Sequence, residues 1–524
     1  MRLSEAEATI EQGERPIWLC TLGLPDGRAL RLATRPVEVA TVSLGGDGPY
    51  QYDPFLVGVS EFEEEIDLFS LDGVGALTQA QVEICTPDTE LGALQSDWHH
   101  VIAATVELAI LWDGQAWEER VVVLSGSVQG AEFGIEGQAT TLSLETTPPS
   151  TSETIGDDER DLGLDWEAVV DTAAVPMSDL AGSKYQHVYG APESVPAYKV
   201  GEVSPGFNRL VLCGHHLART GGSYVVAVYQ DGGYVGDYTV VNGEINGQPY
   251  AYVESSTEFL ASDGAYTWKA THGGIAAANG SDRPALNAEG VIRRMLVDSR
   301  LPVDWRRTEP ALARLRDWQI GVYTDEEATA IDVIRDRVLR HLPVVEMSGG
   351  EGLWLAYADP HLAPVEAQLT LGQELLGRVG RMRMSDPESI RNVFVVNYGR
   401  EAFAQELLST VRLDADNSAL CALSQQLYGV RADEPIDCDV TWDDATALRI
   451  ASARAGRLAL PRRVLAYELA PELYWLRAGT VVSVTDPGYS IARHRGVIAR
   501  VNRTMLPFVA TIELVDRTPI ARGG

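Results

Sequence analysis

The sequence predicts a mainly β protein of several domains, with two small β-domains of similar design at the two ends of the chain. Short segments of alternating apolar and polar residues, separated by turn residues, recur along most of the 524 positions. This length suffices for about three or four domains of ordinary size. A glycine and two apolar positions near the N-terminus also recur with the same spacing near the C-terminus, which indicates an internal repeat.

The first domain is predicted to span residues 1–150 and to form a β-barrel or sandwich. The turn Pro25-Asp26-Gly27 separates two apolar segments and predicts a hairpin. Strands are predicted at residues 16–22, 28–33, 64–70, 80–85, 105–112, 120–128 and 139–145. Residues 146–153, rich in Thr, Ser and Pro, break this pattern, and the acidic run Asp157-Asp158-Glu159 extends the predicted boundary.

Two smaller regions are predicted between the ends. Residues 151–285 are expected to hold a linker and a peripheral β-rich domain, with strands at 195–200, 209–213, 224–230, 234–241 and 250–254. Residues 286–379 are expected to form an α+β segment. Asn287 is a candidate cap for one helix, and a capping box predicts that Thr324 begins another, which ends before Pro343. Residues 344–347 and 353–357 are predicted to pair as a hairpin.

The last domain is predicted to span residues 380–524. Apolar residues recur at helical spacing over residues 444–458, and Asp443 or Asp444 is a candidate cap for this helix. Strands are predicted at residues 464–469, 480–485, 496–502 and 508–515.

The internal repeat pairs a glycine with two apolar residues that follow it 16 and 18 positions later: Gly126 with Leu142 and Leu144, and Gly496 with Ile512 and Leu514. Two readings of this match remain open. Either the two ends of the chain carry similar domains, or two unrelated hairpins match by chance. The first reading decides the architecture, because one chain then carries the same β-domain twice.

Composition excludes some functional classes. The formal net charge is -33, so most of the surface repels a nucleic acid, and stable binding of DNA or RNA is not expected. The five cysteines are far apart and form no C-x-x-C pair, which favours synthesis in a reducing cytoplasm without a disulfide framework. With no run of about 18 apolar residues and no apolar signal core, we expect neither secretion nor membrane insertion by the usual routes.

No residue is predicted to be catalytic, to bind a cofactor or to hold a metal. Cys213, His215 and His216 are candidate metal ligands, but adjacent histidines in a strand point to opposite faces and no fourth ligand lies nearby in the sequence. Structural or exposed side chains are the favoured reading, and His99-His100 receives the same interpretation. No phosphate-binding loop, nucleophile elbow or H-E-x-x-H motif occurs.

Two clusters allow a binding role. Glu61, Glu63, Glu64 and Glu65 contain the paired carboxylates that a glycosidase needs, although a solvated charged face at a strand edge is favoured. Aromatic side chains in the middle of the chain suit a carbohydrate or protein contact, but strand alternation places about half of them in a core. These aromatic residues are Tyr224, Tyr229, Tyr234, Tyr238, Tyr250 and Tyr252.

The C-terminal stretch resembles that of tail hub proteins of long-tailed bacteriophages and gene transfer agents. The resemblance is carried by Leu427-Tyr428-Gly429, by the helix predicted over residues 444–458, and by the segments 476–484, 496–501 and 511–516. Tyr189-Gly190 and the β-region after it also look like segments of baseplate and tail-tip proteins.

The resemblance implies a structural virion protein at the tail tip or baseplate. Hubs of this family are homotrimers in which each chain supplies two tube-like β-barrels, so that three chains match a six-fold tail tube to a three-fold tip. It also implies a lumen that DNA and the tape-measure protein pass through, and partners that include a distal tail protein or tube ring and tip or fibre proteins. No cofactor and no enzymatic activity are implied. The alternatives are a hexameric distal tail protein and, from another class, a carbohydrate-binding or carbohydrate-active protein.

Overall fold

The prediction of a mainly β, multidomain fold is confirmed by the computed structural model of the chain. The structure describes residues 17–40, 49–66, 79–85, 101–102, 104–133, 140–145, 154–155, 187–190, 192, 195–204, 207–213, 217, 226–230, 233–236, 238–245, 248–255, 266–270, 287–299, 301–324, 328–349, 352–357, 365–400, 406–470, 473–474, 476–504 and 509–516. None of the helices in these ranges is long and apolar enough to cross a membrane.

The described residues of the N-terminal part form nine strands. They are β1 (Ile17–Gly23), β2 (Ala29–Ala33), β3 (Val37–Val39), β4 (Tyr50–Tyr52), β5 (Leu56–Glu65), β6 (Gln79–Ile84), β7 (Thr105–Leu111), β8 (Val121–Phe133) and β9 (Thr140–Glu145). The prediction of a strand at residues 64–70 is wrong in its position, because β5 ends at Glu65. Residues 67–70 lie outside the described part of the chain.

Seven of these strands form a nearly closed barrel in the order β2-β1-β7-β8-β9-β6-β5. The sheet curls until β2, at one end of this order, meets the residues just before β5, which is at the other end. There the N–H of Ala33 donates to the carbonyl oxygen of Asp53 (2.7 Å), and the N–H of Asp53 donates to that of Arg31 (2.9 Å). Strand alternation fills the interior, since Leu142 and Leu144 of β9 are buried while Ser143 between them is half-exposed.

The described part of the middle region consists mainly of strands. Its strands are β10 (Thr154–Ile155), β11 (His187–Gly190), β12 (Val195–Ser204), β13 (Phe207–Cys213), β14 (Val226–Gln230), β15 (Gly233–Val235), β16 (Thr239–Ile245), β17 (Gln248–Ser255) and β18 (Tyr266–Ala270). Seven of them form an antiparallel sheet in the order β15-β14-β18-β12-β13-β17-β16. The single strand predicted at 234–241 is wrong, because the chain leaves β14 through the short β15 and then begins β16 on another edge.

An α+β segment follows, as the sequence predicts. It holds the helices α1 (Ala288–Asp298), α2 (Trp305–Leu312) and α3 (Ala330–Val333), and the strands β19 (Gly321–Thr324), β20 (Ala328–Thr329), β21 (Val344–Gly349) and β22 (Gly352–Tyr357). Asn287 caps α1 by accepting a hydrogen bond of 3.0 Å from the N–H of Gly290. The capping box at Thr324 is wrong, since Thr324 ends a strand that pairs with β11.

The C-terminal part combines a sheet with an inserted α+β subdomain. Its elements are β23 (Ala367–Thr370), β24 (Leu375–Arg378), β25 (Arg383–Met384), β26 (Phe394–Arg400), β27 (Leu407–Leu413), α4 (Ala419–Tyr428), β28 (Ile436–Cys438), α5 (Asp444–Leu458), β29 (Arg463–Leu469), β30 (Val481–Asp486), β31 (Ile491–Thr504) and β32 (Val509–Asp516). Strands β26 to β28 form the small separate sheet against which α5 packs.

One arrangement of five strands occurs twice. In the first unit, strands β5 to β9 lie in the sheet order β7-β8-β9-β6-β5. The second unit has the matching sheet order β30-β31-β32-β29-β24. Its first strand is divided into β24 and β25, and its second to fifth strands are, in chain order, β29, β30, β31 and β32. The inserted subdomain stands between the first and second strands of the second unit.

The strand registers of the two units agree between the fourth and fifth strands of each unit. In the first unit, Val128 lies opposite Leu144, and an extra residue in β8 then places Gly130 opposite Ser143. The second unit has the same bulge, which is bounded by the pairs Ile498–Leu514 and Arg500–Glu513.

A second bulge is repeated in the first strand of each unit. The pair Leu56–Ile84 is followed by Gly58–Glu83 in the first unit, and Leu375–Leu469 is followed by Gly377–Glu468 in the second. A bulge is a local feature with its own geometry, so two shared bulges are strong support for a duplicated unit. Besides the inserted subdomain, the units differ at one edge, where β1 runs antiparallel to β7 but β23 runs parallel to β30, and the second unit is a half-barrel.

Candidate functional site

The two units are joined by direct pairing of their strands. Residues 62–65 of β5 run antiparallel to residues 500–503 of β31, so that Glu64 lies opposite Val501 and Glu63 opposite Asn502. This pairing unites both units in one 14-stranded sheet. It is possible because β31 is long. Its first part pairs with β30, and only its last part remains free for β5.

A buried carboxylate lies at this junction. Glu64 is 1% exposed, and its Oε1 is 3.4 Å from Nη1 of Arg503 and 3.4 Å from Nη1 of Arg477. Its Oε2 accepts a hydrogen bond of 3.3 Å from the N–H of Ala478. Burial raises the pKa of the Glu64 carboxyl, but the two guanidinium groups and the Ala478 N–H outweigh burial and hold the pKa below its ordinary value. Glu64 is therefore charged at neutral pH.

Arg503 connects this carboxylate to a loop of the second unit. Its Nε donates to the carbonyl oxygen of Tyr474 (2.9 Å), and its Nη2 donates to that of Leu476 (2.6 Å). The guanidinium carbon also lies 5.1 Å from the ring centroid of Phe62, within the range of a cation–π contact. Side chains from both units thus surround a single buried cation.

The other face of the same two strands carries exposed charges. Arg500 forms an ion pair with Glu63, and its Nε lies 3.8 Å from Oε2 of Glu65. The interpretation of this acidic cluster as a solvated face at a strand edge is wrong for Glu64, because β5 pairs with β6 on one side and β31 on the other. The carboxylates hold arginines instead of facing each other across a cleft, which does not fit a glycosidase pair. The side chain of Glu61 lies outside the described part.

The arginines of this junction were not predicted from the sequence. A signal was present, because Glu63, Glu64 and Glu65 are matched by basic residues near the end of the chain. Recognising it requires knowing that two segments near opposite ends of the chain share a strand pair, which no local pattern reveals.

A second buried carboxylate stabilises the second unit alone. Asp486 is fully buried, accepts a hydrogen bond of 2.8 Å from Nε of Arg378, and accepts another of 2.9 Å from the hydroxyl of Tyr467. It also caps the turn that follows by accepting from the N–H of Gly488 (2.8 Å). The hydrogen bond from Arg378 is the largest of the contributions that hold the pKa of Asp486 below its ordinary value. Its role is structural.

The structure does not bring the other predicted candidates into one site. Cys213 is buried in β13, while His215, His216, His99 and His100 lie outside the described residues, as does the acidic run 157–159. Within the ranges that are described, no group of three His, Cys, Asp or Glu side chains is placed to hold a metal ion. None of the five cysteines, all of which lie in the described ranges, forms a disulfide, and burial raises the pKa of the Cys20 and Cys438 thiols to about 12.

The described tyrosines of the middle region differ in burial and in contacts. Tyr252 is buried, and the hydroxyl of Tyr238 donates to the carbonyl oxygen of Val226 (2.6 Å). The rings of Tyr229 and Tyr234 meet edge to face, with their centroids 6.0 Å apart, and Tyr234 is exposed. Tyr224 and the side chain of Tyr250 lie outside the described residues. The described tyrosines therefore do not form one aromatic platform.

No protein-family model matches the chain, and no curated protein matches it either. Among solved structures it is similar to a 43 kDa tail protein of prophage MuSo2 from Shewanella oneidensis, with 10% identity and a TM-score of 0.39 over 95% of this chain and 98% of that one. It is also similar to a chain in the virion of a native gene transfer agent particle, with 15% identity and a TM-score of 0.42 over 65% of this chain and 86% of that one. One is thus a phage tail protein and the other a component of a gene transfer agent virion.

Proposed function

We propose that this chain is a structural virion protein, the central hub at the tip or baseplate of a long phage tail, and that it acts by assembly and not by catalysis. The observation that carries the proposal is the duplicated five-strand unit, with its two shared bulges. A protein that carries one unit twice presents six units when three copies assemble. It can therefore join a six-fold tube to a three-fold tip.

The way in which the units are connected supports a ring. Within one chain, the first strand of the first unit pairs with the fourth strand of the second unit, so unlike edges meet. Contacts between unlike surfaces propagate around an axis and form a closed ring when the rotation closes. Three chains joined in this way make a homotrimeric ring of six units.

We propose that the polar face of the continuous sheet lines a channel for DNA and for the tape-measure protein. Its side chains include Gln81, Glu83, Ser143, Glu468 and Thr511, which are exposed or half-buried. Glu83 and Glu468 occupy matching register positions in the two units, so a trimer carries six carboxylates at one level of the channel. Acidic and short polar groups do not hold a polyanion, so DNA passes without specific binding.

The partners follow from this geometry. A six-unit ring suits a tail-tube ring or distal tail protein on one side, and three-fold tip or fibre proteins suit the other. Such a protein resides in the virion after synthesis in the host cytoplasm. We also propose that the chain is divided into four domains, at residues 1–150, 151–285, 286–379 and 380–524.

The mass of the assembled particle tests the proposal. Native mass spectrometry of the purified chain should give three times the 56.9 kDa chain mass. A hexamer would favour the distal tail protein, and a monomer at all concentrations would contradict both. Binding of the isolated chain to a glycan array, or turnover of a glycan, would instead favour the carbohydrate-active alternative.

A further inference from the structure

Two strand edges have no pairing partner among the described residues. Residues 130–133 of β8 pair with β9 on one side, and no described strand pairs with their other side. Residues 383–384 form β25, which pairs with β29 on one side only within the described ranges. Unpaired edges present rows of backbone N–H and C=O groups and are templates for pairing with another chain.

The internal duplication relates these two edges to the junction already present in each chain. Arg383 lies opposite Val464 in the second unit, at the register position that Glu63 occupies opposite Gln79 in the first. Residues 382–385 are therefore the counterparts of residues 62–65. In the same way, residues 130–133 of β8 are the counterparts of residues 500–503 of β31. Within the chain, residues 62–65 pair with residues 500–503.

We propose that residues 130–133 of one chain pair antiparallel with residues 382–385 of a second copy of the same chain. The register is copied from the junction within the chain, so Ala131 lies opposite Met384 and Glu132 lies opposite Arg383. This inference rests on the ring assembly proposed above, and it names the surfaces through which the ring closes.

The exposure of apolar side chains supports this pairing. Phe62 is 1% exposed because β31 covers it, whereas its counterpart Met382 is 39% exposed. Glu64 is likewise 1% exposed, and its counterpart Met384 is 43% exposed. Two methionines thus stand in water at the positions where the other unit buries its side chains. A neighbouring strand that covers them removes this apolar surface from water.

Charge also supports it. In the proposed register, Glu132, which is exposed, faces the exposed cation Arg383. Opposite charges directly across an antiparallel pair are favourable, whereas like charges are not. Arg383 already forms an ion pair with Glu513 within its own chain, on the strand beyond β29, so Glu132 of a second copy completes a carboxylate–arginine–carboxylate row. The junction within the chain has the same kind of row, in which Arg500 meets Glu63 and Glu65.

Disulfide cross-linking tests the register. In a Cys85→Ser background, which removes the half-exposed native thiol, the double variant Glu132→Cys/Arg383→Cys should form disulfides between chains on mild oxidation. Directly opposite residues in an antiparallel pair lie about 4.5–5.5 Å apart at Cα, within the range of a disulfide. Covalent dimers and trimers should appear on a non-reducing gel, and the trimer should be the largest species because the ring closes.

Matched controls distinguish cross-links formed in this register from cross-links formed by random collision between chains. The pair Glu132→Cys/Arg381→Cys places the second thiol two positions away on the same exposed segment and should lose most of the cross-linked product. A mixture of the two single variants, Glu132→Cys and Arg383→Cys, should give covalent dimers and nothing larger. Neither single variant alone should cross-link.

A charge exchange supplies a second test that does not depend on oxidation. Arg383→Glu alone and Glu132→Arg alone should each lose trimer in favour of monomer, and Glu132→Arg/Arg383→Glu together should recover it. Arg28→Glu, at an exposed arginine of the β1–β2 turn, should leave the trimer intact. A stable trimer in which neither the cross-link nor the charge recovery occurs overturns the edge pairing while the hub proposal stands. A chain that stays monomeric contradicts both.

Discussion

At the scale of single residues, the junction between the two units depends on a carboxylate that is almost fully removed from water. Glu64 comes from the first unit, while Arg477 and Arg503 come from the second. Removing one partner of a buried ion pair leaves the other charge uncompensated, which costs far more than the pair itself contributes. The sequence shows three adjacent glutamates but not which of them is buried, because burial depends on the distant strand that covers β5.

Replacement of this carboxylate by a neutral isostere should destabilise the protein. We expect Glu64→Gln to lower the free energy of unfolding by about 3–5 kcal/mol, because the buried guanidinium group of Arg503 and the half-buried one of Arg477 lose their counter-charge. Urea denaturation followed by tryptophan fluorescence measures the change. Glu83→Gln, at an exposed position of β6, should change it by less than about 0.5 kcal/mol. Equal effects of the two substitutions would contradict the role of Glu64.

The same residue gives a prediction for pH. The folded-state pKa of Glu64 lies below its ordinary value of 4.5, so its contribution to stability is fully present above 4.5 and is lost as the pH falls through the folded-state pKa. The difference in unfolding free energy between the wild type and Glu64→Gln should therefore be constant at neutral and mildly acidic pH and should shrink on further acidification. A difference that grows in acid would show that the sign is wrong.

At the scale of elements, several local features could be predicted because their causes are local. The helix predicted over residues 444–458 is α5, and Asp443 caps it by accepting from the N–H of Thr446 (2.7 Å). The hairpin of β21 and β22 was also predicted. Helix α2 was not, because Pro310 lies inside it and proline in a helix interior normally argues against a helix.

The glycine of the predicted repeat has a packing reason. A Cβ added at Gly496 would lie 2.8 Å from the carbonyl oxygen of Val515 and 2.9 Å from Cγ of Leu514. The glycine thus allows β31 and β32 to approach each other closely. Its partner in the repeat, Gly126, occupies the matching register position, since Val106–Gly126 in the first unit corresponds to Val482–Gly496 in the second. The match of spacing in the sequence therefore reflects a shared hairpin.

We expect Gly496→Ala to destabilise the second unit by about 1–3 kcal/mol, as is usual for overpacking. The measurement is the urea midpoint of the purified protein. Gly377→Ala is the matched control, because Gly377 also lies in a strand of the second unit and a Cβ there meets nothing within 4 Å. A loss of stability at Gly377 as large as that at Gly496 would contradict the packing argument.

At the scale of the whole molecule, pairing between distant segments decides the architecture. Fold class and most strand positions could be predicted, because alternation and turn residues are local signals. The union of both units in one sheet, and the insertion of residues 394–458 within the second unit, could not. Nothing near β5 indicates that it pairs with a strand close to the other end of the chain.

The proposed channel makes a prediction about DNA delivery. In particles assembled with Glu83→Lys/Glu468→Lys, six carboxylates at one level become six ammonium groups, which attract the DNA backbone. We expect the hub to keep its mass and the particles to eject labelled DNA more slowly, with a larger delay at low salt than at high salt. Glu38→Lys, on the exposed hairpin of β3 and β4, should leave the ejection rate unchanged. Unchanged ejection by the double variant would contradict the lumen assignment.

We propose that three copies of this chain, which carries a duplicated unit, build a ring of six similar parts. Electron microscopy of the purified assembly, viewed along its axis, tests it most directly. We predict six similar lobes around a central opening, with three-fold symmetry because alternate lobes carry the inserted subdomain. A particle with fewer lobes, or with no opening at its centre, would contradict the account.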